Sequence, residues 1–176
     1  MNYWLEGILK WPARARHAFG FGLHSPFAFK LVTSTIRDTD SGYYAYEELR
    51  ELARRHGRSE REARALYRLL LALRVEGFRP AVADDSPFLA EIAAMAFPGI
   101  EVVAPGYDAE AVRGHLKGAP ALFLLAGINR SGRARELRRA LLADSGGAMV
   151  FDGWHALLAV SRRGLPPQRF ATLFPR

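Results

Sequence analysis

The chain has 176 residues, the length of one ordinary domain, and half of it is apolar. It has no cysteine, which excludes a disulfide scaffold, a thiol nucleophile and thiolate-bound zinc or iron–sulfur centres. The net charge is +7, and of 25 basic residues only Lys10, Lys30 and Lys117 are lysine. Such arginine usage reads first as base composition and loose solubility charge, and only second as a nucleic-acid surface.

The first eighty residues predict helices. Residues 2–19 are rich in Trp, Leu and Ala, with Pro12 as a break. Two glycines, Gly20 and Gly22, interrupt them. Ser25 then stands at a cap position and Pro26 at the first helical position, where its missing N–H costs nothing. From that helix Phe27, Leu31 and Ile36 are expected to face inward. Residues 38–42 form a turn cluster. A helix follows from Tyr43 to His56, closed by Gly57. Ser59-Glu60-Arg61-Glu62 has the capping-box pattern, and Leu66, Leu69, Leu70 and Leu73 recur at i, i+3, i+4 and i+7. Gly77 ends that helix.

From Pro80 onward short strands alternate with single helices. Strands are expected at Pro80–Ala83, Ile100–Ala104, Ala119–Ala126 and Ala148–Phe151. Helices are expected at Pro87–Phe97, Ala109–Lys117 and Ser131–Ala143. On the last of these Ala134, Leu137 and Leu141 take one side, with Arg135, Arg138 and Arg139 elsewhere. This alternation predicts a mostly parallel, Rossmann-like α/β sheet with helices on both faces. The end of the chain differs: Leu157–Ser161 and Arg169–Phe174 carry no helix between them and predict a C-terminal antiparallel hairpin at a sheet edge. The organisation is thus a helical N-terminal region, residues 1–79, followed by a reduced α/β region, residues 80–176. The longest apolar run, about Ala119–Ile128, is far short of the ~20 residues a membrane span needs. Glu6 interrupts the N-terminal apolar stretch and no cleavage site follows it, so no secretory signal is read and a cytoplasmic location is expected.

In open α/β sheets ligands bind beyond the carboxyl ends of the strands. Four loops qualify: Asp84-Asp85-Ser86, Pro105-Gly106-Tyr107, Gly127-Ile128-Asn129-Arg130 and Asp152-Gly153-Trp154-His155. Asp152 and His155 are the candidate acid/base pair. Equally, Asp84 to Ser86 could cap the next helix and Asp152-Gly153 could be a plain turn. No phosphate loop, dinucleotide fingerprint or nucleophile elbow is present. Two ligands, Asp152 and His155, do not make a metal site. The arginines between Arg50 and Arg79 are interleaved with Glu47, Glu48, Glu51, Glu60 and Glu62, and i,i+4 pairing explains them more simply than a nucleic-acid face.

The block Gly22-Leu23-His24-Ser25-Pro26-Phe27-Ala28-Phe29 is the most distinctive stretch. With Tyr43 to Leu49, Tyr67-Arg68-Leu69-Leu70 and the tail Gly164 to Phe170, it resembles a Bacteroidetes-type group of class I S-adenosylmethionine-dependent methyltransferases. The resemblance implies S-adenosylmethionine as cofactor, with Asp84, Asp85, Ser86 and Asn129 as its binding residues and Asp152 and His155 facing an acceptor. The departures matter. No glycine follows the first strand, Ala104 or Pro105 stands where the second-strand acid would hold ribose, and Ala126-Gly127-Ile128-Asn129 lacks an aspartate. They imply a divergent, shortened member with a degenerate cofactor site and a binding or structural role, through a protein partner or a second copy. The alternatives are an active methyltransferase with a rebuilt pocket, and a basic nucleic-acid module. The block around His24 reads as capping and packing, or as a contact with a ligand or another chain.

Overall fold

A computed structural model describes residues 9, 11–20, 22–36, 44–99, 104, 106–118 and 120–174. Its elements run α1 (Trp11–Ala18), α2 (Pro26–Lys30), a π-helical segment (Leu31–Ile36), α3 (Tyr46–Arg55), α4 (Glu60–Val75), β1 (Arg79–Ala83), α5 (Phe88–Ala96), α6 (Ala109–Lys117), β2 (Ala121–Leu125), α7 (Gly132–Ala143), β3 (Met149–Asp152), β4 (Leu157–Ser161) and β5 (Arg169–Ala171). The strand expected at residues 100–104 and the turn cluster at 38–42 lie outside the described residues, apart from an exposed Ala104.

Local chemistry places three helix starts close to where the sequence predicts, while the helix expected from Tyr43 begins at Tyr46 and the helix after Asp84–Ser86 starts at Phe88 without a side-chain cap. Ser25 Oγ accepts from the Ala28 N–H at 3.3 Å, and Ser131 Oγ accepts from the Ala134 N–H at 3.1 Å. Ser59 Oγ accepts from the Glu62 N–H at 3.4 Å, and the Glu62 carboxylate accepts from Arg58 at 3.1 Å. Leu66, Leu69, Leu70 and Leu73 are all buried. Leu31 and Ile36 are buried and Phe27 packs partly buried against the same core. Phe29, in contrast, is 49% exposed. It lies over Gly20, where a Cβ would fall 2.6 Å from Phe29 Cε2, so it braces the preceding turn rather than the sheet.

The described strands form one mixed sheet in the order β1-β2-β4-β3-β5. β1 and β2 pair in parallel, as do β3 and β5, and β4 runs antiparallel between β2 and β3. The fold is therefore α/β with the antiparallel element at the end of the chain, as expected, but the pairing differs. β4 and β5 are not neighbours; the antiparallel hairpin is β3–β4, turned by residues 153–156. The reason is burial. Leu157-Leu158-Ala159-Val160 is apolar on both faces and belongs in the centre of a covered sheet. β5 has three residues with Arg169 exposed, and suits an edge. Residues 162–168 carry the chain across the amino end of β3 to reach it, and the Val150 N–H donates to the Gln168 carbonyl at 2.7 Å.

Side chains alternate between two cores. Val82, Leu122, Leu124, Phe151 and Leu158 meet α2 to α5 on one face, in a core continuous with the leucines of α3 and α4. Ala81, Phe123, Leu125, Val150 and Ala159 meet α6 and α7 on the other. The helical N-terminal region is thus one outer layer of a three-layer sandwich.

Candidate functional site

β1, β2 and β3 end on the same side of the sheet, and their loops gather there. The Ala126 N–H donates to the Ala83 carbonyl at 3.0 Å, and the Ile128 N–H to the His155 carbonyl at 3.1 Å. Three of the four loops expected from the sequence are thereby brought together. Tyr107 of the fourth lies near Asp85; Pro105 lies outside the described residues.

Asp84 is held by an arginine the sequence gives no reason to single out. Arg58 Nη2 donates to its two oxygens at 2.8 and 2.6 Å, and Arg58 Nη1 donates to Glu62 at 3.1 Å. The Asp84 and Arg58 side chains are 2% and 5% exposed. The guanidinium also stands over the Phe88 ring, 5.1 Å from its centre. Burial raises the Asp84 pKa, with Arg58 opposing. Gly127 closes over this pair: at φ +70°, a Cβ there would lie 2.9 Å from Asp84 Oδ1.

Asp152 is sealed in the same way by two arginines. Arg138 Nε and Nη2 donate to its two oxygens at 2.6 and 2.8 Å, a fork-to-fork pair, and Arg14 Nη2 adds a longer bond at 3.4 Å. Arg138 does not stand away from the side of Ala134, Leu137 and Leu141 as expected. It is buried, because 134, 137, 138 and 141 complete the i, i+3, i+4, i+7 stripe that meets the sheet. That signal was available in the sequence. Arg14 lies 138 residues from its partner and also stands over the Trp154 ring at 5.6 Å.

The two aspartates face opposite sides of the sheet. Ala83, Leu125, Leu157 and Asp152 stand in register across the strands, on the face covered by α6 and α7. Asp84 lies one residue beyond Ala83 and turns to the other face, where Arg58 and Phe88 are.

The remaining candidates differ. Asp85 is exposed, and the Ser131 hydroxyl, then that of Tyr107, hold its pKa below the ordinary value. Burial, reinforced by Asp85, raises the Tyr107 phenol. The Ser86 and Tyr107 hydroxyls are buried without a hydrogen bond of good geometry. Asn129 is half-buried, and its carbonyl accepts from Arg135 at 3.4 Å. His155 is half-buried, edge-on to Trp154 with ring centres 6.5 Å apart. Gly153 has no room for a Cβ, which would lie 2.6 Å from the Ala156 carbonyl oxygen and against the Phe174 ring. Among the described residues no three His, Asp or Glu side chains gather as metal ligands, and no helix is long and apolar enough to cross a membrane.

Most arginines of residues 50–79 are engaged. Arg50 bonds Glu47 and Glu60, Arg54 bonds Glu51, Arg55 bonds Glu91, and Arg64 bonds Glu60. Arg68 reaches the Tyr46 hydroxyl, Arg74 the Ala96 carbonyl and Arg79 the Gly118 carbonyl.

Comparison with family models, with curated proteins and with solved structures finds no match to this chain.

Proposed function

We propose that this chain is a methyltransferase-like α/β protein whose cofactor crevice is filled by its own side chains, and that it works by binding a protein partner or a second copy rather than by transferring a methyl group. One observation carries the reading. Asp84 and Asp152, the carboxylates at the ends of β1 and β3, have both oxygens engaged by buried arginines. Both carboxylates are buried within these pairs, out of reach of ribose hydroxyls.

The residues present fit S-adenosylmethionine poorly for a second reason. At the place where the resemblance expects a ribose-binding acid stands Ala104 or Pro105, neither with a hydrogen-bonding side chain. The engaged arginines of residues 50–79 weigh in the same direction against a nucleic-acid surface there.

Calorimetry with S-adenosylmethionine and with its demethylated product tests the reading. No binding tighter than about 100 μM is expected. Tighter binding overturns it. If such binding were lost in Asp85→Asn, the rebuilt-pocket alternative would gain, since Asp85 with the Ser86 and Tyr107 hydroxyls is the polar group there that arginine does not seal.

A further inference from the structure

α1 is docked with its amphipathic sense reversed. Among the described side chains of α1, the buried one is Arg14, which reaches Asp152 at 3.4 Å and stands over the Trp154 ring. An inward Arg14 decides what points outward. Leu9, Pro12, Arg16 and Phe19 recur at i, i+3, i+7 and i+10 on the side away from Arg14, and all four are exposed. Leu9 is 70% exposed, Trp11 at the flank of the stripe 59%, and Phe19 57%. A helix laid on a protein core normally turns its apolar stripe inward. α1 lies against the edge strand β5 and the π-helical segment, yet keeps this stripe outside.

The exposed apolar side chains are concentrated there. Of the six large ones among the described residues, Leu9, Trp11, Phe19 and Phe29 fall within residues 9–29. Phe29 lies against Gly20, the residue after Phe19, so the patch continues from α1 onto α2. The charge around it has one sign. Residues 7–37 hold Lys10, Arg14, Arg16, Lys30 and Arg37 and no Asp or Glu, although the chain has 18 acids. Arg14 is paired with Asp152 and Lys30 with Glu76, while Arg16 is exposed and makes no ion pair among the described residues. Single exposed apolar side chains are ordinary on a protein surface. Aromatic and aliphatic ones mixed with arginine along an acid-free helix match the boundary between lipid headgroups and acyl chains. Large rings settle at that boundary, and arginine reaches from it to the phosphates. A protein groove that takes a helix reads an unbroken apolar stripe, and Arg16 breaks this one between Pro12 and Phe19.

We infer that the outward face of α1 rests on an anionic lipid surface, with Leu9, Trp11 and Phe19 entering the headgroup boundary and Arg16 on the lipid phosphates. α1 has eight residues and lies in the plane of that surface; it does not cross it. Arg14, held by Asp152, ties the helix to the sheet, so the contact brings the α/β core to the membrane with it.

Vesicle flotation with the full chain is the test. The parent is expected to float with phosphatidylcholine vesicles containing about 30% phosphatidylserine, and to stay behind with phosphatidylcholine alone. Arg16→Gln weakens binding about fivefold, the worth of one cation near such a surface. The double variant Leu9→Ser, Trp11→Ser weakens it about tenfold or more. Both variants melt with the parent, because all three side chains are exposed. Bromine-labelled acyl chains quench the parent's tryptophan emission, and quench it less in Trp11→Phe, which floats as the parent does. Absence of flotation with the anionic vesicles, equal flotation with the neutral ones, or flotation that the double variant retains overturns the inference. So does quenching that Trp11→Phe leaves unchanged. A lipid-free dimer, seen by light scattering and dissolved by the double variant, assigns the stripe to a second copy and overturns it as well. None of these outcomes depends on S-adenosylmethionine, so this surface and the reading of the carboxyl end stand or fall separately.

Discussion

At the carboxyl end of the sheet, two aspartates sit within 3.4 Å of the arginines that neutralise them. At the amino end, where Phe27 meets Phe78 just before β1, a groove between residues 24–27 and 164–168 carries no Asp, Glu, Lys or Arg. The aspartates of the end that looked chemical in the sequence are held by arginine, and the end that looked like capping and packing carries an open groove. Residue type at a strand end is thus a weak guide to a site. What separates the two ends is charge: carboxylates paired with buried arginines at one, a lining without Asp, Glu, Lys or Arg at the other.

The largest expected effect tests the closed end. Asp152→Ala leaves Arg138 and Arg14 buried beside each other, and removing one partner of a buried charge cluster costs about 3–5 kcal/mol. Urea denaturation measures it. A cost below about 1 kcal/mol would mean that Asp152 is not held as a structural ion and would reopen its reading as a catalytic acid. Next comes Phe27→Ala, at about 2–3 kcal/mol, less than a fully buried phenylalanine because this one is half-buried. A variant that melts like the parent would remove Phe27 from the packing of the amino end. Gly127→Ala should cost about 1–2 kcal/mol from its positive φ, with a further push on Asp84. If thermal melts show no loss, the loop is not held against Asp84. Ser25→Ala should cost about 1 kcal/mol, the worth of one cap, and so fall clearly below Phe27→Ala in the same melts.

The smallest effect sharpens the contrast between neighbours. The Asp85 pKa is lowered on folding, by Ser131 first, so its contribution is present above the ordinary value near 3.8 and is lost as pH falls through the folded value. The Asp84 pKa is raised, by burial first, so its contribution is greatest below 3.8 and is lost as pH rises through the folded value. The cost of Asp85→Asn should therefore grow, and that of Asp84→Asn shrink, as melts move from about pH 3 to pH 7. Parallel profiles would contradict the assigned environments.

Local chemistry was legible in the sequence and long-range pairing was not. The stripe Leu66, Leu69, Leu70, Leu73, the caps Ser25 and Ser59, and the strands β1, β2 and β3 follow from periodicity and from which side chains satisfy free N–H groups. The neighbours of β4 do not, because an apolar run specifies burial without naming its partners. The candidate site failed for a related reason. The residues flanking Asp84 and Asp152 in sequence are turn formers. The groups that decide their chemistry, Arg58, Arg138 and Arg14, are three arginines among many, and only Arg138 carries a positional signal, its place on an otherwise apolar stripe.

The position of β4 also bears on how the protein assembles as it leaves the ribosome. β1 and β2 can pair as soon as both are made, and β3 follows, but β4 bridges the two halves of the sheet. Until residues 157–161 emerge, the inner edges of β2 and β3 are open ladders of apolar backbone, prone to pairing with the wrong chain. Synthesis delivers this central strand after both of its neighbours, so the sheet cannot close before it is made. The contacts that close it, β4 with β2, span more than thirty residues, which places this step among the slower events of folding.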